Sequence, residues 1–266
     1  MLLACFATEC SRHRGDSASA NRFDLQLSSM DPAASGRTDP NERLASADPL
    51  AFLKMCRDRY VSDVRDYRCT FTKFEPAMGP DAVEQEMRVD FREAPFSVDM
   101  TWLRNPERAQ RVSYVKGRWS RDGKEYCHIE PSGVLALLAP AGVKRDIHAP
   151  DVKAASRRTI DLFGFRNTLD LIIKFADMAQ GDPRYAMKYK GTDTLNGRSS
   201  YVIERYLPYT VMDQPYPDRL LVIYIDREWL VPTGCFAYAD DERVQLLGSY
   251  VTTDVQFNVG LTDADF

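Results

Sequence analysis

The sequence predicts a mainly β (α+β) fold: a curved antiparallel sheet of about ten strands that forms a half-barrel, with an N-terminal helix and a helical insertion. Many short segments alternate apolar and polar residues, and turns that contain Gly, Pro, Asn or Asp separate them. Helical periodicity is confined to two stretches. Strict alternation gives a strand one dry and one wet face, which is typical of antiparallel sheets covered on one side.

The N-terminal helix is expected to begin after Asp48. An Asp at this position accepts a hydrogen bond from the first turn, and Pro49 fits that turn because no amide donor is needed there. Apolar residues then recur at helical spacing from Leu50 to about Val64. The pattern predicts an amphipathic helix over this stretch.

Two blocks of strands follow. In the first block the alternation runs through Tyr67–Phe71, Met87–Arg92, Phe96–Trp102 and Val112–Tyr114. The second block opens with a strand from Lys188 that reaches Asn196-Gly197, a strong hairpin signal because both residues tolerate positive φ. The return strand and three further strands are expected at Tyr201–Tyr206, Leu220–Ile225, Leu230–Tyr238 and Val244–Thr253.

The insertion between the blocks extends from Ser132 to Gln180. It contains an apolar run at residues 134–138 and a second amphipathic helix, which Asn167 is expected to cap and which ends near Gly181. An insertion of this kind typically lies over one end or mouth of the sheet.

The composition of the 266 residues excludes several classes of protein. Apolar residues make up 44%, which is enough for a sizeable core. The 35 basic and 39 acidic residues are interspersed and the net charge is −4, so nucleic acid is not an expected partner. No stretch approaches the roughly 20 apolar residues of a membrane-spanning helix.

The N-terminus carries a candidate lipidation site at Cys5. Leu2-Leu3-Ala4-Cys5 matches the end of a bacterial lipoprotein signal, but the basic start and the long apolar core of such a signal are absent. Either the true start lies upstream or the match is chance. Residues 8–47 are polar, which indicates a flexible tether. We therefore predict a leader over residues 1–47, a single domain over residues 48–266, and a periplasmic or envelope location with a membrane contact only through a lipid anchor.

The cysteines and histidines offer little for catalysis. Cys56, Cys69, Cys127 and Cys235 are either buried thiols or form one or two disulfides, and none has the CxxC spacing of a zinc site. Cys127 and His128 are adjacent on an expected strand and point to opposite faces, so they cannot form a nucleophile–base pair. A Cys–His enzyme that uses His148 is the weaker alternative. No catalytic residue, metal or cofactor is predicted.

An apolar stripe is the feature with functional promise. Its side chains are expected on the inward faces of neighbouring strands and on the insertion, where they either pack in an ordinary core or line a pocket for a hydrophobic ligand. The candidate ligand residues are Phe71, Phe91, Phe96, Met100, Trp102, Tyr114, Leu137 and Ile172.

Four stretches carry a resemblance to a known family. They are residues 67–75, residues 195–204 around the Asn-Gly hairpin, residues 224–232, and residues 250–266. In this order they resemble domain of unknown function 1571, a family similar to the LolA/LolB-like bacterial lipoprotein carriers. The resemblance spans about residues 48 to 266 and implies an envelope location and an apolar cavity under the sheet.

Two functions agree with these features. The first is an envelope protein that binds a lipid or acyl chain in the concavity of the sheet, as a lipoprotein carrier does. The second is a non-catalytic structural or sensory module of the envelope, with a filled core and an exposed apolar patch that meets a partner protein. The volume and lining of the sheet's interior distinguish the two.

Overall fold

The structure is a computed structural model that describes residues 39–106, 108–210 and 215–266. Cys5 and most of the predicted leader lie outside the described residues. The helices are α1 (Pro40–Ala47), α2 (Pro49–Asp63), α3 (Gly133–Leu138), α4 (Pro150–Ala155) and α5 (Phe165–Ala179). The strands are β1 (Asp66–Phe74), β2 (Gln85–Arg92), β3 (Ser97–Arg104), β4 (Ala109–Val115), β5 (Tyr126–Pro131), β6 (Val143–Asp146), β7 (Ala186–Leu195), β8 (Arg198–Tyr206), β9 (Leu220–Asp226), β10 (Pro232–Tyr238) and β11 (Leu246–Phe257).

The described strands form one open antiparallel sheet of eleven strands, in the order β6-β5-β4-β3-β2-β1-β11-β10-β9-β8-β7. Within each block, neighbours in sequence are neighbours in the sheet, so each block is a meander. β1 pairs with β11 and joins the two meanders side by side. The predicted fold class, a curved and mainly β antiparallel sheet with helices, is confirmed.

Helix α2 and the Asn-Gly hairpin form as the sequence predicts. The Asp48 carboxylate accepts a hydrogen bond from the amide of Ala51 at 2.9 Å, and Pro49 is the first helical residue. Asn196 and Gly197 both have positive φ, at 48° and 78°, and connect β7 to β8. Local chemistry therefore determines both elements.

The expected strand at Cys127 and His128 forms β5, whereas the sequence patterns miss β6, the edge strand of the first block. β6 has only four residues, and three of them are charged. An edge strand has solvent on one side and tolerates charges, so alternation is not required there. The apolar run at residues 134–138 forms α3 in the connection between these two strands.

Residues 40–47 form α1 and are not part of a flexible tether. The Asp39 carboxylate accepts hydrogen bonds from the Asn41 amide at 3.0 Å, from the Tyr201 hydroxyl, and from Arg227 at 3.2 Å. Ala45 is fully buried in the core. The predicted domain boundary at residue 48 lies too late because the contacts that hold this polar helix come from residues far along the chain.

Helix α5 has the predicted apolar stripe but not the predicted cap. Leu169, Ile173 and Ala176 are buried on the stripe. The helix begins at Phe165 after Gly164, so Asn167 lies inside the first turn. Its side-chain amide donates to the carbonyls of Asp161 at 3.1 Å and Phe163 at 2.8 Å, which fixes the segment that leads into the helix.

The core lies on the inner face of the sheet, which is the face that α1, α2 and α5 contact. Over β8, β9 and β10 these helices fill the interior, where Phe52, Leu53 and Leu169 are fully buried. The outer face of the same strands is also apolar, and Val222 and Tyr224 are buried there. β9 is therefore covered on both sides, which explains its continuous apolar run.

The α1 anchor can be tested with Asp39→Ala. Loss of the cap and of the bonds to Tyr201 and Arg227 should lower the free energy of unfolding by about 1 kcal/mol at pH 7. The Tyr201 hydroxyl is the main cause that lowers the pKa of Asp39. A lowered pKa in the folded state gives stability that is present above the unfolded pKa of about 4, and that is lost as the pH falls through the folded pKa.

Urea unfolding at pH 7 and pH 3 measures both effects. The difference from the wild type should shrink at pH 3. Asp58→Ala is the matched control because Asp58 is exposed on α2 and, in the described part of the chain, pairs with its neighbour Arg57 alone. Equal stability of the two variants at pH 7 would contradict the anchoring role of Asp39.

Candidate ligand site on the inner face

Most of the predicted ligand residues share the inner face of the first block. The ring centroid of Phe91 lies 5.3 Å from that of Phe96, and Phe96 lies 5.9 Å from Tyr114. Phe71, Met100 and Trp102 pack against the same apolar cluster as Phe91. Six of the eight predicted residues are thus brought together, with Phe96 in the turn before β3.

Two predicted residues lie elsewhere. Ile172 is buried on α5 in the filled part of the core over the second block. Leu137 is 82% exposed on α3, beyond the ends of the strands. Neither position follows from alternation along a strand, because both residues belong to the insertion.

A segment that we call the strap, residues 147–163 between β6 and α5, covers part of this inner face. Ile147 packs with Tyr114 and Cys127, and Ile160 packs against both the Phe91 and the Tyr114 clusters. The Phe163 ring meets the Phe71 ring edge to face at 5.1 Å. The strap therefore shields the aromatic part of the site from solvent.

The buried carboxylate of Glu75 fastens the strap at the end of β1. It accepts hydrogen bonds from the Ser156 hydroxyl at 3.0 Å, the Arg157 amide at 3.3 Å and the Tyr250 hydroxyl at 2.7 Å. The Lys73 ammonium lies 3.3 Å from the same carboxylate. One side chain thus connects β1, β11 and the strap, which sequence patterns cannot show.

Beyond the strap the inner face becomes progressively more open. Residues directly opposite each other in a sheet share a face. One such row passes from Val89 on β2 through Met100, Val112 and Ile129 to Val143 on β6. Val89 is fully buried, the next three are half-buried, and Val143 is 42% exposed. We call Met100, Val112, Ile129 and Val143 the open row.

Trp102 lies beside the open row on the same face. It pairs with Met87, which is buried in the aromatic cluster. Its indole N–H is buried and has no acceptor among the residues that the structure describes. The site therefore offers one unused donor within an apolar surface, and ligand sites typically combine such a surface with a few polar groups.

Exposed apolar side chains gather where the strands of the first block end. The β1–β2, β3–β4 and β5–β6 connections all lie at this end, as the antiparallel pairings require. We call these exposed residues the apolar rim. They are Met78, Val83, Leu103, Val134, Leu135, Leu137 and Leu138.

Two surface recesses lie away from this site. One of about 240 Å³ includes Arg198, Trp229 and Thr252 in its lining, and one of about 270 Å³ includes Glu42 and Tyr189. Both volumes lie below the roughly 300–1,000 Å³ that is typical of pockets for small ligands. Neither is lined by a predicted ligand residue.

The four described cysteines are free and buried. Burial raises the pKa of Cys56 to about 12 and the pKa values of Cys127 and Cys235 to about 11, and it raises that of Cys69 further. The Cys127 thiol lies 3.5 Å from the Arg145 carbonyl oxygen, so its partner is a backbone group. The alternative that these four cysteines are buried thiols, and not disulfides, is confirmed.

The histidines do not approach these thiols. His128 lies on the other face of β5, where its Nε2 is 3.0 Å from the Ala141 carbonyl oxygen and its ring is 6.0 Å from Trp119. His148 Nε2 is 3.4 Å from Asp161 on the strap. Within residues 39–266, apart from the two undescribed gaps, no cluster of three metal-binding side chains occurs.

No helix in the described part of the chain is both long enough and apolar enough to span a membrane.

The chain belongs to the family described as "Protein of unknown function (DUF1571)", which matches residues 64–266. This is well over half of the sequence, and the predicted family is confirmed. No curated protein matches the sequence.

Several solved structures are similar in fold. A DUF1329 family protein from Desulfovibrio piger is 11% identical, with a TM-score of 0.41 over 82% of this chain and 97% of that one. The MucA/MucB complex of Pseudomonas aeruginosa gives 15% identity and a TM-score of 0.46 over 82% of this chain and 60% of the matched one. The Mycobacterium tuberculosis lipoprotein LppX gives 9% identity and a TM-score of 0.39 over 81% and 98%. Each is a distant similarity.

The strap can be tested with Glu75→Gln. Loss of the charge and of one acceptor should open the strap more often, so trypsin should cleave after Arg157 and Arg158 about five to ten times faster. Mass spectrometry of the first fragments gives the rate at these two positions. Glu84→Gln is the control because Glu84 pairs with Arg104 at the surface. The same cleavage rate in both variants would show that Glu75 does not hold the strap.

The thiols can be tested by alkylation in a Cys5→Ser/Cys10→Ser background. A pKa of about 11 leaves roughly one molecule in a thousand as thiolate at pH 8, and burial slows access further. Native protein should react slowly at all four positions, and urea-unfolded protein should react quickly. Fast labelling of Cys127 or Cys235 in the native state would revive the Cys–His alternative.

Proposed function

We propose that this protein is a non-catalytic binding protein that takes a lipid or acyl chain on the inner face of its first block. The ligand lies along the open row and under the strap, and it enters at the apolar rim. The observation that carries the proposal is the continuous change from buried Val89 to exposed Val143 along one row of apolar side chains.

Apolar burial supplies the binding energy in this proposal. A well-packed domain normally covers an inner face, and roughly 25 cal/mol is gained for each Å² of apolar surface removed from water. The helices cover the inner face over the second block and reach β1 and β2 through Tyr60 and Phe165, whereas the strap lies over the rest of the first block. A hydrophobic chain bound along the open row would remove the exposed side chains of this row from water.

The non-catalytic assignment is supported by the state of the thiols. A nucleophilic cysteine needs a lowered pKa and a base within hydrogen-bond reach. All four described thiols have raised pKa values, and each histidine of the domain has a different partner. An envelope location and a lipid anchor at Cys5 belong to the same proposal.

One observation favours a second candidate, a structural or sensory module that meets a partner protein. The interior over β8, β9 and β10 is filled by side chains, as a closed core requires. The apolar rim would then be the contact with the partner. In that case the rim residues matter for protein binding, and no lipid is taken up.

Val143→Asp tests the proposed function. This substitution places a carboxylate at the open end of the row and should weaken the binding of cis-parinaric acid, whose fluorescence rises in an apolar environment, about tenfold. Titration of delipidated protein with the probe, from the free protein to saturation, gives the Kd of each variant. Native mass spectrometry of protein extracted without detergent shows whether a lipid copurifies.

Val259→Asp is the matched control. Val143 and Val259 are 42% and 40% exposed, so the same substitution costs similar stability, but Val259 follows β11 at the opposite end of the sheet. The control should bind like the wild type. Absence of both a copurified lipid and probe binding in the wild type would refute the proposed function and favour the partner-binding candidate.

A further inference from the structure

One arginine beside the candidate site, Arg158, has no partner among the residues that the structure describes. Among the described residues, the guanidinium groups of Arg43, Arg88, Arg108 and Arg158 make no hydrogen bond or ion pair with the protein. The first three are exposed, whereas Arg158 is half-buried. A half-buried charge loses part of its hydration, and an anion normally compensates this cost.

Arg158 lies on the strap, close to the inner face. Burial raises the pKa values of Tyr250 and Cys235, and the positive charge of Arg158 acts on both in the opposite direction. Cys235 belongs to the core. The Tyr250 ring is parallel to the Phe71 ring at 6.4 Å, and Phe71 in turn contacts Phe163. The unpaired charge is therefore next to the aromatic part of the candidate site.

The neighbouring charges leave this region positive. The Lys73 ammonium lies 3.3 Å from the Glu75 carboxylate, and the charges of Arg157 and Arg158 both act on Tyr250, whose hydroxyl donates to that carboxylate. The Arg157 guanidinium donates to the Pro217 carbonyl at 2.6 Å and to the Tyr250 hydroxyl at 3.5 Å, and neither acceptor is charged. The nearby Arg205 and Asp218 form a buried pair at 2.8 Å and balance each other.

We infer that the ligand is an anionic amphiphile, with a carboxylate or phosphate head paired to Arg158 and an acyl chain on the open inner face. This inference rests on the proposed function and names the class of its ligand. A guanidinium binds two charged oxygens of a carboxylate or phosphate at once. A neutral ester carries no negative charge and cannot form this ion pair. The aromatic rings beside Arg158 provide the surface on which the chain begins.

The test compares cis-parinaric acid with its methyl ester on the full chain. The two probes share one acyl chain and differ in the charge of the head. Arg158→Gln should weaken the acid about tenfold, as expected for a lost charge-assisted hydrogen bond, and leave the ester unchanged. Arg158→Lys keeps the charge and should recover part of the affinity for the acid.

Arg108→Gln is the matched control, since Arg108 is unpaired but exposed, and it should change neither probe. Dodecyl phosphate should displace the acid, whereas inorganic phosphate at the same concentration should not. Displacement by inorganic phosphate would overturn the inference that the ligand needs an acyl chain as well as a charged head. Equal binding of acid and ester by the wild type, or an unchanged acid affinity in a folded Arg158→Gln, would overturn the inference and leave the proposed function intact. Failure of the wild type to bind either probe would refute the proposed function itself.

Discussion

The pairing of β1 with β11 is the contact on which the rest of the structure depends. It runs from Tyr67 opposite Phe257 to Phe74 opposite Ser249, and it joins strands from the two ends of the domain. Without it the chain would form two separate meanders, each with an exposed edge. With it, the inner face is continuous from one block to the other, and Glu75 and Tyr250 come within hydrogen-bond distance at the end of the shared seam.

A sheet of this width is too large for its helices. Eleven strands spaced about 4.8 Å apart extend over roughly 50 Å, while a helix covers a stripe about 10 Å wide. Helices α1, α2 and α5 gather over the second block and over the seam, where Phe52 and Phe165 are buried. Beyond β1 and β2 the inner face of the first block is covered by the strap, and part of its apolar surface stays exposed because the helices do not extend that far.

The strap combines two kinds of chemistry at one position. Its apolar side chains, Ile160 and Phe163, pack against the aromatic cluster, and Arg157 lies where β1 ends and β11 begins. Glu75 satisfies part of this positive charge and fixes the strap to the sheet. A surface that is apolar along its length and positive at one place has the form expected for a ligand with a charged head and a hydrophobic chain.

The elements whose causes are local could be predicted from the amino-acid sequence. The Asp48 cap, the Asn196-Gly197 hairpin and the alternation in β2 each depend on neighbouring residues, and so do the apolar stripes of α2 and α5. Alternation also placed most of the apolar stripe on one face, because the side-chain period of a strand is two. These features were enough for the fold class and the family.

The remaining features depend on contacts between residues that lie far apart in the sequence. Helix α1 is held by Tyr201 and Arg227, the strap by Glu75, and the first block is joined to the second by β11, and all of these partners are distant in sequence. The positions of Ile172 and Leu137 were decided in the same way, one inside the filled core and the other on the rim. Periodicity shows which face of an element is apolar, but which element covers that face depends on long-range packing.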